Sequence, residues 1–254
     1  MTGMEDVLDL PPDARTELAQ ALGRLRDGGG AVVRVAQRLA RMGAAPLLRG
    51  FGGNAGAAIE QVARASLERA FNAAILGLPS TYSDERGRLP GGRLGSAAAA
   101  HVVTAVSGAV SGAAGLVGAV PDAALTTLLI MRQIAAVALA EGEDLATEDA
   151  RRACLEVFAL DSGDEGGYWG ARLLLRGAPI ATILAQAARP WGIALTEKLA
   201  AQAAPVVGAA GGALVNTAFL AHFRTLARGH FTVRRLERRY GAEAVRAAAA
   251  ALGG

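Results

Sequence analysis

Apolar positions recur every three to four residues along most of the chain, and the strand-like alternation of β-branched with polar residues is nearly absent. Pro11 and Pro12 precede a periodic run, ARTELAQALGRLR, that stops at Gly28-Gly29-Gly30. A basic run, AVVRVAQRLARMG, follows, and AAIEQVARASLERAFNAAILGL predicts a third helix. Residues 79–96, PSTYSDERGRLPGGRLGS, are turn formers and charges; they read as a loop and as the best boundary between an N-terminal helical region and the rest. Pro121-Asp122 predicts a helix start, since proline suits a first turn and an acid the positive helix end. Gly142 predicts a stop and Thr147 an N-cap for the helix through ARRACLEVFAL. DSGDEGG reads as a loop, and the helix through YWGARLLLRGAPIATILAQAA as interrupted near Gly177 and Pro179. The predicted fold class is all-α, a multi-helix bundle.

Two segments break the amphipathic pattern. Residues 94–131 carry one formal charge, Asp122, and residues 199–223 carry none. Each exceeds the roughly 20 apolar residues that a membrane-spanning helix needs. Each also places small residues at helical spacing, Gly108 with Gly112 and Gly208 with Gly212, the second pair extended by Ala204 and Asn216. Such stripes let helix backbones approach closely and mark helix packing. Alanine and glycine contribute little to lipid transfer, however, and a helix buried on all sides of a water-soluble bundle is equally charge-free. Composition leaves three readings open: buried bundle core, membrane-inserted hairpin, or exchange between them. In each, residues 102–120 and 206–219 form two Gly/Ala-rich central helices.

The second segment runs into HFRTLARGHFTVRRLERRYGAEAVRA, which holds seven arginines from Arg224 to Arg246 against Glu237 and Glu243. At 100° per residue, Arg224, Arg228, Arg235, Arg238 and Arg239 share an arc of about 100°. Phe223, Leu226, Val233, Leu236 and Tyr240 lie opposite, and Phe231 projects from within the basic arc. A basic amphipathic helix points to an anionic surface, with arginines at lipid headgroups and Phe231 entering the boundary. A solvated arginine face interrupted at Gly229 and a protein partner are the alternatives. Nucleic acid is disfavoured, because net charge is only +3 and no nucleic-acid motif occurs.

Composition narrows the remaining chemistry. Mean hydropathy is +0.30, high for a water-soluble domain and low for a polytopic membrane protein. The N-terminus carries acids and no apolar h-region, so no secretory signal is expected. The single cysteine, Cys154, forms no internal disulfide and is expected as a buried, inert thiol, which suits a reducing, cytoplasmic setting. No metal-binding motif is present, so neither metal nor other cofactor is expected. His222 and His230 are poorly spaced for joint coordination, and His101 reads as a packing residue. His230 and Glu237, seven apart, can share a helix face as a hydrogen-bonded pair. With the acids near Glu143, they define the alternative reading of a soluble all-α enzyme with a buried His/acid site. The cluster Glu141, Glu143, Asp144, Glu148 and Asp149 reads more simply as a solvated turn beside a helix N-terminus. The only lysine, Lys198, sits between Glu197 and Leu199, which excludes a P-loop, and GFGGNAG at residues 50–56 follows no strand, so a dinucleotide fold fails.

Four blocks, AFNAAILGLP, ALTTLLIMRQIAAVALAEGEDL, ARRACLEVFAL and EKLAAQAAPVVGAAGGALVNTAFLAHFRTLARGHFTVRRLERRYG, resemble the EcsC family of bacterial proteins in identity and order. The resemblance implies an EcsC-like helical domain at 58–241, preceded by an N-terminal helical extension, 1–57, and followed by a C-terminal tail, 242–254. It also implies a membrane-associated protein, cytoplasmic or on the cytoplasmic face of the inner membrane, linked to an ABC transporter or another membrane protein. No catalytic residue is implied, and a non-enzymatic role is favoured.

Overall fold

The computed structural model describes residues 10–28, 64–65, 67–68, 70, 116–160, 167–188, 191 and 208–252. Among these residues the chain is all-α, with no strand. The helices are α1 (Pro12–Gly28), α2 (Leu116–Ala140), α3 (Glu148–Ala159), α4 (Gly167–Leu175), α5 (180–188), α6 (Gly208–Tyr240) and α7 (Ala242–Ala251). The described parts of residues 64–70 are helical too, as the third periodic run predicts.

Local signals place most ends. Proline at the first position of α1 sacrifices only an N–H that would be unpaired there anyway. Gly142, at φ 81°, closes α2: its N–H donates to the Leu139 carbonyl and the Glu143 N–H donates to the Ala138 carbonyl, a Schellman arrangement. Asp144 Oδ1 accepts from the Ala146 N–H, and Thr147 Oγ1 caps α3 by accepting from the Ala150 N–H. Gly177, at φ 74°, separates α4 from the helix after Pro179. Two predicted boundaries shift. Pro121 lies inside α2 rather than at its start, so the helix tolerates the loss of one i→i−4 bond. Gly229 does not break the last long helix; α6 runs unbroken for 33 residues, about 50 Å, joining the charge-free segment to the arginine-rich one.

Helix α6 is the axis of the molecule. It packs against α1, α2, α3 and α7, while α2 also meets α3 and α1 meets α7. Five consecutive residues, Gly229–Val233, are buried. Five residues sweep more than a full helical turn, so neighbours must cover α6 on every side there. Further along, Phe219 and Phe223 join Phe158 of α3 and Trp191 in an aromatic cluster, with Phe158 and Trp191 edge-to-face at 5.3 Å between centroids. Val245 of α7 is fully buried in the same core, as are Leu18 and Ala21 of α1. Cys154 is buried as expected, and burial pushes its thiol pKa up.

Gly229 is where α1 comes closest. A Cβ there would stand 2.7 Å from Leu25 Cγ and 2.9 Å from the Ala21 carbonyl oxygen. In an open helix interior Gly→Ala gains about 1 kcal/mol; in a closed one overpacking costs about 1–3 kcal/mol. Here one obstacle is backbone and the other a branched carbon, so the cost wins. Gly229→Ala is expected to lower the unfolding free energy by about 1 kcal/mol or more in urea titrations. Gly23→Ala, with nothing within 4 Å of the added methyl, should raise it. Equal gains at both sites would show that α1 does not lie on α6 in this way.

Candidate functional site

The basic half of α6 is largely neutralised from within the chain. The Schellman turn that ends α2 turns Glu141 and Glu143 toward α6. Arg234 places Nε 2.8 Å from Glu143 Oε1 and Nη2 3.1 Å from Glu143 Oε2, and its Nη2 also donates to Asp149 Oδ2 at 2.7 Å. Arg238 pairs with the same Glu143 carboxylate and donates to the Glu141 carbonyl oxygen at 2.7 Å. Arg235 bridges Glu141, at 2.7 Å, and Glu17 of α1. The hydrogen bond from Arg234 draws the Asp149 carboxyl below its ordinary range, against the opposing effect of burial. The acidic stretch 141–149 is therefore the counter-charge of the basic helix, not merely a solvated turn.

One turn away, α6 carries a buried polar group. His230 is fully buried, with Nδ1 3.3 Å from the Tyr168 hydroxyl and Nε2 3.6 Å from Glu156 Oε2, beyond hydrogen-bond reach. Glu237 does not meet His230: its two oxygens take both Nη atoms of Arg172 at 2.9 Å, a bidentate pair. The Arg172 guanidinium also stacks 5.5 Å from the Tyr168 ring centroid and 5.9 Å from that of Trp169. Burial first, and then Arg172 and Arg234, push the His230 pKa well below 6.5. Burial raises the Glu156 pKa above 4.5 despite the same two arginines.

These two shifts act on stability with opposite signs. The unfolded chain protonates His230 near pH 6.5 and the folded chain resists it, so this contribution is full above pH 6.5 and declines below it. Glu156 keeps its proton longer when folded, so its contribution is full below pH 4.5 and is lost as pH rises through the raised value. Glu156→Gln should expose the histidine slope, with stability falling below pH 6.5 by up to about 1.4 kcal/mol per pH unit. His230→Gln should remove that slope and leave stability rising as pH falls toward 4.5. Urea midpoints across this range check both; parallel profiles for the two variants would contradict the assignment.

Next to this group, α3, α4, α6 and α7 line a half-open cavity of about 450 Å³. Five arginines line it, Arg152, Arg172, Arg176, Arg234 and Arg246, against three acids, Asp149, Glu156 and Glu237. Arg176 and Arg246 have no acidic partner among the described residues. The Arg152 Nε–H is buried without a hydrogen-bond partner there, although Nη2 pairs with Glu148. Leu173 is on the cavity wall, and it and Leu174 are 69% and 72% exposed.

The predicted lipid-facing residues separate accordingly. Arg235 and Arg238 are held in ion pairs, whereas Arg224, Arg228 and Arg239 have no acidic partner among the described residues, Arg239 lying over the Tyr240 ring at 5.2 Å. Arg224 and Arg228 line a second hollow of about 500 Å³ with Arg24 of α1. Burial, and then Arg228, lower the Arg224 pKa. Phe231 does not project from a basic face; it is fully buried, because α6 is covered all round at that level. Gly208 and Gly212 fall within α6, while Gly108, Gly112 and His101 lie outside the described residues. Of the His/acid trio, Glu237 alone lines the cavity; Glu143 is spent on Arg234 and Arg238. Among the described residues, no three His, Cys, Asp or Glu side chains are grouped to hold a metal, and no helix is long and apolar enough to cross a membrane. Sequence reasoning missed the Arg172–Glu237 pair and the cavity. The one legible hint was the match in charge between residues 141–149 and 224–246.

Fold and site together define an all-helical protein whose central helix is pinned by arginine–carboxylate pairs. Residues 57–168 match the EcsC protein family. The match takes in α2, the acidic turn, α3 and Tyr168, and ends short of the span to Gly241 that the four sequence blocks imply. No curated protein and no solved structure matches the chain.

Proposed function

We propose that this chain is a non-enzymatic, membrane-associated protein that docks peripherally on an anionic bilayer, on the cytoplasmic side, in support of transport or envelope processes of the kind its family resemblance implies. The observation that carries the reading is the α3–α4–α6–α7 cavity, where the exposed Leu173 shares the lining with Arg176 and Arg246, and Leu174, next to it in α4, is exposed as well. Exposed leucines suit the acyl boundary of a bilayer, and neighbouring arginines with no described counter-charge suit lipid phosphate. Arg224 and Arg228 add positive charge to the long-range attraction. The docking elements are thus α4 and α7 rather than the α6 face that sequence periodicity selects.

Sedimentation with phosphatidylglycerol-containing vesicles tests it. Binding should be retained at low salt and weaken as ionic strength rises. Leu173→Ser with Leu174→Ser should reduce it about tenfold or more, since two leucines leave the interface, while thermal stability stays close to that of the native chain. A native chain that stays in the supernatant at low salt refutes the reading.

A further inference from the structure

We infer that the arginine-lined cavity between α3, α4, α6 and α7 is a binding site for a phosphomonoester group, the headgroup phosphate of a lipid. As to the lipid source, the inference rests on the membrane reading above; the cavity and its preference for a dianion do not.

The first argument is charge. Five guanidinium groups and three carboxylates line one half-open hollow, so the lining is cationic before any ligand enters. That excess rests on particular arginines. Glu156 is deep and held toward its neutral form by burial. Arg172 with Glu237, Arg234 with Asp149 and Glu143, and Arg152 with Glu148 are already paired, which leaves the excess on Arg176 and Arg246.

The second argument is the division of labour among the arginines. Arg172 and Arg234 are fixed: one is held bidentately by Glu237 and stacked on Tyr168 and Trp169, the other is clamped by Glu143 and Asp149. Their charge is balanced by these acids, so what they add is a fixed, shaped wall at little entropic cost on binding. Arg176 and Arg246 stand opposite in role, with no described acid to satisfy them, and so are free to close on an entering anion. The Arg152 Nε–H is a buried donor without an acceptor, which a phosphate oxygen supplies. A phosphomonoester offers three oxygens and close to two negative charges, matching forked donors better than a single carboxylate does.

The third argument is size and surroundings. At about 450 Å³ the cavity accepts a headgroup and not only an ion. Its wall includes Trp169 and Leu173, so an acyl-bearing ligand would leave its phosphate among the arginines and its glycerol and chains against apolar surface.

Calorimetric titration of the full chain tests the inference with three separate probes: inorganic phosphate, glycerol 3-phosphate, and dihexanoyl phosphatidic acid below its micelle concentration. Saturable binding is expected for all three, tightest for the lipid. Arg176→Glu with Arg246→Glu should weaken it by about a hundredfold, roughly tenfold per charge-assisted contact. Both residues are exposed, so the fold should survive, and Arg239→Glu, outside the cavity lining, should leave affinity unchanged. Retained binding of the lipid probe together with vesicle sedimentation supports both readings. Saturable phosphate and glycerol 3-phosphate binding by a chain that ignores vesicles keeps the cavity and removes the membrane source. Absence of saturable binding for all three probes, or binding equally sensitive to Arg239→Glu, overturns the inference.

Discussion

Phe231→Ala is expected to lower the unfolding free energy by about 3–5 kcal/mol, the range for deleting a fully buried phenylalanine ring. Helical periodicity alone puts Phe231 in the arc of Arg224, Arg228, Arg235, Arg238 and Arg239, where its loss would cost surface binding and little stability. Burial reverses that expectation. The ring is 0% exposed, at a level where α6 is covered on every side, so its removal opens a void that neighbouring helices cannot collapse without moving α6 itself. The variant should shift the urea midpoint strongly, while its folded fraction binds anionic vesicles as well as the native chain does. A loss below about 1 kcal/mol, the scale of an unremarkable surface change, would mean that the ring is not in the core.

Glu143→Ala should rank close behind, at about 3 kcal/mol. The Glu143 side chain is only 5% exposed and receives both Arg234 and Arg238. Removing it leaves Arg234, mostly buried, with only the exposed Asp149 as its acid, and a half-compensated charge in such a site is costly. Arg238 is 41% exposed and can turn to water, so its share is small. A double-mutant cycle separates the two: coupling between Glu143 and Arg234 should clearly exceed that between Glu143 and Arg238. Equal couplings, or a total loss within the range of exposed ion pairs, would show that the Schellman turn does not drive its acid into α6.

Much of this architecture can be read from local pattern. The all-α class follows from the three-to-four-residue apolar spacing, and Gly142 and Thr147 mark the α2–α3 connection because each solves a local hydrogen-bonding problem. The apolar side of α6 is equally plain, and Phe223, Leu226, Val233 and Leu236 are indeed buried. The candidate site was legible only in part. Glu141, Glu143 and Asp149 on one side and Arg234, Arg235 and Arg238 on the other are visible as charge runs of opposite sign, yet about 90 residues separate them. Nothing local says that they meet.

Periodicity determined which residues of this protein turn together on a helix; it could not say how many sides of that helix are covered. That is a property of tertiary packing, because burial depends on the neighbours that surround a face and not on the face alone. The sequence by itself thus established the helices, their main stops, the buried thiol at Cys154 and the excess of arginine near the C-terminus. Only the tertiary structure decided that α1 presses on Gly229, that the acidic turn absorbs Arg234, Arg235 and Arg238, and that five arginines converge on one cavity. Coulomb attraction acts across space rather than along the chain, so its partners become readable only once the helices are packed.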